Sequence, residues 1–250
     1  MLEALRSARG IVRSLHIYYG DKERGAAMDR LYRRFVPPDD LVFDIGAHVG
    51  DRTAAFRRLG ARVVAVEPQP ALVRTLRLLY GRDPNVTIEA AAVGRSPGSI
   101  DLNLNLDNPT LATASEDFIA AASQARAWQG QTWTKSVLVP ITSLDRLIAK
   151  HGVPAFIKID VEGFEAEALA GLTRAVPALS FEFTTIQRDV ARACIERCVA
   201  LGYRQFNAVL GENHAFAHVD WLDAAAISRW LAELPDEANS GDIYASLDED

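Results

Sequence analysis

Short apolar runs alternate with stretches of helical periodicity along most of this chain, and that alternation restricts the fold to a mainly parallel sheet with helices on both faces. After the breaker Pro37-Pro38-Asp39-Asp40, Leu41 to Ile45 reads as a buried strand. A glycine turn and a helix over Arg52 to Leu59, stopped by Gly60, follow it. Arg62 to Val66 is a second strand, Pro70 to Tyr80 a helix, and Val86 to Val93 a third strand. Ile100 to Leu106 alternates as a half-exposed strand does, and residues 107–136, rich in Ala, Ser, Thr, Asn and Gln, read as an irregular insertion. The rhythm resumes at Val137 to Val139. A helix over Ser143 to His151, a strand over Ala155 to Ile159, a helix over Glu162 to Leu172 and a strand over Leu179 to Phe183 follow. Arg188 to Leu201 is helical, and Tyr203 to Val209 and Asp242 to Leu247 are late strands. Residues 1–36 read as a helical extension and 37–250 as one domain. Right-handed crossovers then put a ligand at the carboxyl ends of the strands, near the switch in strand order.

Composition narrows the function more than the fold. With 49% hydrophobic and 24% charged residues among 250, the chain is of ordinary globular make-up. A net charge of -6 argues against a broad polyanion-binding surface, so no nucleic-acid partner is expected. Residues 1–36 nevertheless carry eight Lys/Arg against four acids, and Glu233 to Asp250 seven acids and no base. The basic segment is read as a solvated helix, or as a cover for the site or a contact for an anionic substrate or surface. No apolar run approaches the roughly 18 residues of a membrane helix, and Arg residues scattered through the first twenty positions leave no signal-peptide core. Cys194 and Cys198, four apart on a helix, read as half-buried reduced thiols, which points to the cytoplasm.

The strongest motif is Val42-Phe43-Asp44-Ile45-Gly46-Ala47-His48-Val49-Gly50-Asp51. A buried strand ends in an acid, and two glycines bracket a tight turn into a helix, which allows close backbone approach and offers amides to an anionic group. The spacing is not the G-x-G-x-x-G of dinucleotide folds, which disfavours a nicotinamide oxidoreductase. Glu67 ends the second strand, where an acid can accept both hydroxyls of a ribose. Asp44, Gly46, Gly50 and Glu67 together suit a ligand with a ribose and a cationic amino-acid end, as S-adenosylmethionine has. A third motif, Phe156 to Glu165, ends a buried strand in Asp160, with Glu162 and Glu165 placed on one face of the following helix. Lys158 within it needs a counter-charge, from one of these acids or from Glu182.

The series LVFDIGAHVGD, VVAVEPQP, NVTIEAAAVG and IKIDVEGFE resembles that of FkbM-type methyltransferases over residues 41 to 183. The resemblance implies a Rossmann-like class I methyltransferase fold, an S-adenosylmethionine cofactor and O-methylation of a sugar, glycan or other natural-product hydroxyl. It places Asp44, Gly46 and Gly50 at the methionine end, Glu67 at the ribose and Ala91 to Val93 near the adenine. Ala47, His48, Thr53, Pro68, Ala92, Val93 and Asp160 complete the implied cofactor set. Asp160 and Glu162 face the acceptor, with Glu182 behind them. The sequence departs at His48, where the family commonly has Asn, and at Asp51 and Gln69.

In-line methyl transfer needs a close acceptor oxygen, a desolvated site and a route for the hydroxyl proton. The candidate bases are Asp160, Glu162 and His48, with Asp160 favoured because the end of the fourth core strand points at the methyl group in this architecture. A divalent cation on these carboxylates is an alternative, not the favoured one, and no metal ligands are assigned. Competing readings are a cofactor-binding protein without catalysis and a methyltransferase acting on a macromolecule. His214 and His218 read as surface residues in preference to a metal pair. Trp128 and Trp133 read equally as a sugar-stacking lid or as packing. Tyr18 and Tyr19 read as core anchors in preference to acceptor contacts.

Overall fold

The computed structural model describes residues 2–247; the last three acids of the tail, Asp248 to Asp250, lie outside the described residues. The chain runs α1 (Leu2–Tyr19), α2 (Lys22–Tyr32), β1 (Leu41–Ile45), α3 (Asp51–Arg58), β2 (Arg62–Val66), α4 (Pro70–Tyr80), β3 (Val86–Glu89), β4 (Ala92–Val93) and β5 (Gly98–Leu104). It continues through α5 (Glu116–Gln124), β6 (Lys135–Thr142), α6 (Leu144–His151), β7 (Phe156–Ile159), α7 (Glu165–Ala170), β8 (Ala178–Thr184), α8 (Arg188–Leu201), β9 (Gln205–Leu210), α9 (Ala224–Glu233) and β10 (Ser240–Ser246). Seven strands form the main sheet in the order β3-β2-β1-β7-β8-β10-β9. The first five are parallel, and β10 is antiparallel to both β8 and β9. This is the class I methyltransferase arrangement that the motifs imply. Its switch lies between β1 and β7, whose carboxyl ends stand side by side.

The two faces of the sheet are covered differently. On one, α6 to α9 pack over Leu144, Leu169, Ile195 and Ile227. The other buries Met28, Tyr32 and Phe56 of α2 and α3 together with Phe35. Phe35 stacks at 5.1 Å on Phe156 and 5.4 Å on Tyr244, so α2 and its exit are built into the core. Each such side chain contributes about 1.5–3 kcal/mol by leaving water. Cys194 and Cys198 lie on α8 as free thiols and are fully buried, not half-buried.

Several expectations need correction. The third strand is two: β3 extends the main sheet, while β4 joins β5 and β6 in a separate three-stranded sheet. Residues 107–136 hold one α-helix, α5, whose N-terminus is capped by the Ser115 side chain accepting from the Phe118 amide, and are otherwise mostly loops and single turns. Trp128 and Trp133 meet Phe118 of that helix edge-on, so they take the packing alternative. The helix expected from Glu162 begins only at Glu165, because Glu162 (φ 53°) and Gly163 (φ 86°) are left-handed and cannot extend it. Glu162 and Glu165 therefore share no helical face. The helix α9 had no counterpart in the sequence reading.

Candidate active site

A cleft enclosing about 860 Å³, its open mouth included, lies over the carboxyl ends of β1, β2 and β7. Asp44, Gly46, Ala47, His48, Glu67, Pro68, Ala92, Val93, Asp160 and Glu162 all line it, so ten of the twelve candidate residues meet there. Gly50 and Thr53 do not. Gly50 packs against Tyr80 and Leu76 and gives the turn its left-handed bend (φ +83°). Thr53 sits beneath the cleft and donates its hydroxyl to Asp44 Oδ2 at 2.5 Å, so it holds Asp44 from behind.

The loop after β1 is shaped by contacts with its neighbours. Gly46 has φ +80°, and a Cβ there would stand 1.8 Å from the Asp160 carbonyl oxygen. Its amide and that of Ala47 both donate to Val66 O, and the Gly50 amide donates to Ala47 O. These three amides are engaged within the protein and are not offered to an anion. The charge lining the cleft agrees: acids outnumber bases around it.

Glu67 is 3% exposed, and its two oxygens accept from the amides of His48 (2.9 Å) and Gln69 (2.8 Å). Each oxygen keeps a second lone pair for a ligand hydroxyl. Burial raises its pKa to about 7 against those bonds, and raises Asp44 to about 6 against the Thr53 bond. Beside Glu67, the buried Ala92, Val93, Leu102 and Ala112 give the cleft an apolar slot. A close-approach glycine, a buried two-oxygen acceptor, an apolar slot and a surplus of negative charge fit S-adenosylmethionine part by part.

At the other end of the cleft, Asp160 has 32% of its side chain exposed. Lys158, buried in the sheet, donates to Asp242 Oδ1 at 2.6 Å and to Asp160 Oδ2 at 3.3 Å. Burial opposes the lysine's charge, yet the two aspartates hold its pKa well above the usual value. Asp160 was among its anticipated partners; Glu162, Glu165 and Glu182 do not bond it. Asp242 was missed as a partner because it lies on β10, far away in sequence. Glu162 is held by its carbonyl, which accepts from Thr113 Oγ1 at 2.7 Å. Burial, then Asp160 and Glu165, push its carboxyl well above the ordinary range. His48 is lowered to about 4 by burial and is neutral at physiological pH.

Sequence reasoning missed other lining residues. Tyr18, read as a core anchor, lines the cleft from the end of α1 and meets the His48 ring edge-on at 5.6 Å. Arg52 and Glu212 line its rim, where Arg24 and Arg52 each bond Asp51 and Glu212. The signal for Arg24 and Tyr18 was the basic N-terminal segment; Glu212 had none. His214 is buried, not on the surface, with Nε2 3.3 Å from Glu212 Oε2, while His218 meets Trp230. Among the described residues the two histidines join no metal-binding group.

Residues 44–230 match the methyltransferase FkbM domain. Hexuronic acid methyltransferase AglP of Haloferax volcanii is 28% identical over 163 residues, which are 64% of this chain; the match spans 62% of that protein's length. Precorrin-6y C5,15-methyltransferase from Geobacter metallireducens overlays with a TM-score of 0.43 at 14% identity, covering 89% of this chain and 86% of its own. Fibrillarin of Aeropyrum pernix, solved with bound S-adenosyl-L-methionine, gives 0.45 at 12% identity over 84% of this chain and 68% of its own. No helix among the described residues is long and apolar enough to cross a membrane. With the motif series matched over most of its length, this chain belongs to the FkbM methyltransferase family and takes S-adenosylmethionine as its cofactor.

Proposed function

We propose that the chain methylates a hydroxyl of a sugar, glycan or related natural product, with Asp160 as the general base. The observation that carries this reading is that Asp160 stands at the end of β7, partly open to the cleft, while Glu162 beside it is 5% exposed. The name of the Haloferax relative supports a sugar acceptor. S-adenosylmethionine supplies an electrophilic methyl group on its sulfonium. Asp44 and the Gly46 backbone would border its amino-acid end, Glu67 would accept the ribose hydroxyls, and Ala92 and Val93 would flank the adenine. Asp160 would take the proton that the acceptor hydroxyl gives up on methylation, the bound cofactor supplying the methyl group and leaving as S-adenosylhomocysteine. Lys158, donating to Asp160 Oδ2 at 3.3 Å, holds that carboxylate in place. His48, neutral and packed on Tyr18, positions the wall and does not act as the base. The free buried thiols suit a reducing, cytoplasmic setting.

The test is transfer of labelled methyl to a panel of uronic-acid and neutral glycosides, with RNA and protein as comparison acceptors. Glycosides are expected to take the label, and Asp160→Asn to lower turnover by about 10²- to 10⁴-fold with S-adenosylhomocysteine affinity kept. Label on RNA or protein alone would sink the acceptor class. Binding without transfer to any acceptor would favour a non-catalytic cofactor binder.

A further inference from the structure

Acceptors outnumber donors where β7 and β8 end. Asp160, Glu162 and Glu182 each place a carboxylate oxygen so that all three lie within 4.8 Å of one another. Lys158 reaches only Asp160 among them and is committed to Asp242. Neither the Glu162 nor the Glu182 side chain has a hydrogen-bond or ion partner among the described residues, and Glu182 Oε2 is completely buried.

An independent group adds to the imbalance. Gln187, in the turn after β8, is 7% exposed, and its Oε1 is buried without a partner. That oxygen lies against the turn carrying Glu162: a Cβ on Gly163 would stand 2.5 Å from it. Gln187 lines the same crevice as Glu182 and Glu165. The Glu165 Oε1 accepts from the Val161 and Gly163 amides, so that carboxylate is accounted for. Glu182 Oε2 and Gln187 Oε1 are left buried without a partner, which is costly.

All these ligand atoms are oxygens, from three carboxylates and one amide carbonyl. Such a set suits Mg²⁺, Mn²⁺ or Ca²⁺ and holds no Cys or His to favour zinc. We propose that Asp160, Glu162 and Glu182, backed by the Gln187 carbonyl, form a site for one hard divalent cation at the acceptor end of the cleft. One oxygen from each carboxylate serves the ion, which leaves Asp160 its other for the acceptor's proton. An ion here makes a hydroxyl that reaches it more acidic. It also offers a counter-charge to a carboxylate-bearing acceptor in an otherwise acidic cleft. The use of the ion in methyl transfer rests on the acceptor reading above; its binding does not.

The experiment titrates chelator-treated full-length protein with MgCl₂, MnCl₂ and CaCl₂ by calorimetry, without cofactor or acceptor, and follows melting in parallel. One ion per chain is expected to bind saturably and to raise the melting temperature. Glu182→Gln and Gln187→Leu are each expected to weaken binding at least about tenfold. Retained S-adenosylhomocysteine binding shows that a variant is folded; if Glu182→Gln fails that check, Gln187→Leu, which lies off the cleft wall, decides. Absence of saturable binding of all three ions up to about 10 mM overturns the site. Wild-type affinity in the folded variants overturns it equally. Because no turnover is read, failure of the glycan acceptor class leaves this result intact, and the reverse holds.

Discussion

Glu67 links cofactor binding to protons. Its folded-state pKa of about 7 lies above the ordinary 4.5, so the folded protein holds that proton more tightly than the unfolded chain does. The stability this confers is complete below the unfolded value and is lost as pH rises through about 7. His48 and His214, both lowered to about 4 by burial, act in the opposite sense: their contribution is present above about 6.5 and is lost as pH falls. Other buried acids, Asp44 and Glu162 among them, act in Glu67's sense, so its share is isolated by comparison: from about pH 5 to 7 the cofactor-free wild type is expected to lose melting temperature relative to Glu67→Gln, which parallel melting series check. Ribose hydroxyls need Glu67 ionised, so S-adenosylhomocysteine binding near about pH 6.5 should release a proton. The calorimetric enthalpy then varies with the buffer's own ionisation enthalpy. Glu67→Gln is expected to abolish most of that variation and to weaken binding roughly 10- to 100-fold, the loss of hydrogen bonds to a charged group worth about 1.5–3 kcal/mol.

Among the elements, the junction of β1 with β7 tolerates least. A Cβ at Gly46 would overlap the Asp160 carbonyl, and its φ of +80° disfavours any other residue. Gly46→Ala is expected to cost at least about 3 kcal/mol and to lower the melting temperature by roughly 6–12 °C. Gly130, with nearly the same φ (+85°) but nothing within 4 Å of a Cβ, is the control; its alanine variant should cost only about 1 kcal/mol. Thermal melts of the pair separate steric overlap from backbone preference. The Gly46 turn was legible because strand, acid and glycine follow one another locally, and Glu67 because it ends the neighbouring strand. Other features had local signals that composition obscured: Ser115 before Glu116 and Asp117 is a helix start hidden among alanines, and Asp223 caps α9 by accepting from the Ala226 amide. The split after Glu89 was not legible, since Ala90-Ala91-Ala92 continues an apolar run with no breaker. Nor was the Asp242 partner of Lys158, because strand order, not sequence spacing, brings β10 beside β8.

In the whole molecule, the two N-terminal helices have different standing. α1 touches the rest through polar ties, Arg6 and Arg13 to Asp107 and Tyr19 to Val49 O, and through Gly10 packed on Pro109 and Tyr18 on His48, and it presents Leu5, Val12 and Ile17 to solvent. α2 and its exit insert Met28, Tyr32 and Phe35 into the aromatic stack on Phe156 and Tyr244. Removal of residues 1–19 should leave a cooperatively folding protein whose S-adenosylhomocysteine binding is weakened by the loss of Tyr18 from the cleft wall. Removal of 1–36 should abolish the folding transition, since several large side chains worth about 1.5–3 kcal/mol each are lost. Circular dichroism melts of the two truncations check this. The place of β10 between β8 and β9, which brings Asp242 to Lys158, matters before the protein is finished. On the ribosome, β8 and β9 emerge with no strand to join them, and a nascent chain halted before Ser240 presents two open sheet edges and a lysine short of its counter-ion. Chaperones have most to protect in that interval, and late translational pausing is where this chain is most exposed to aggregation.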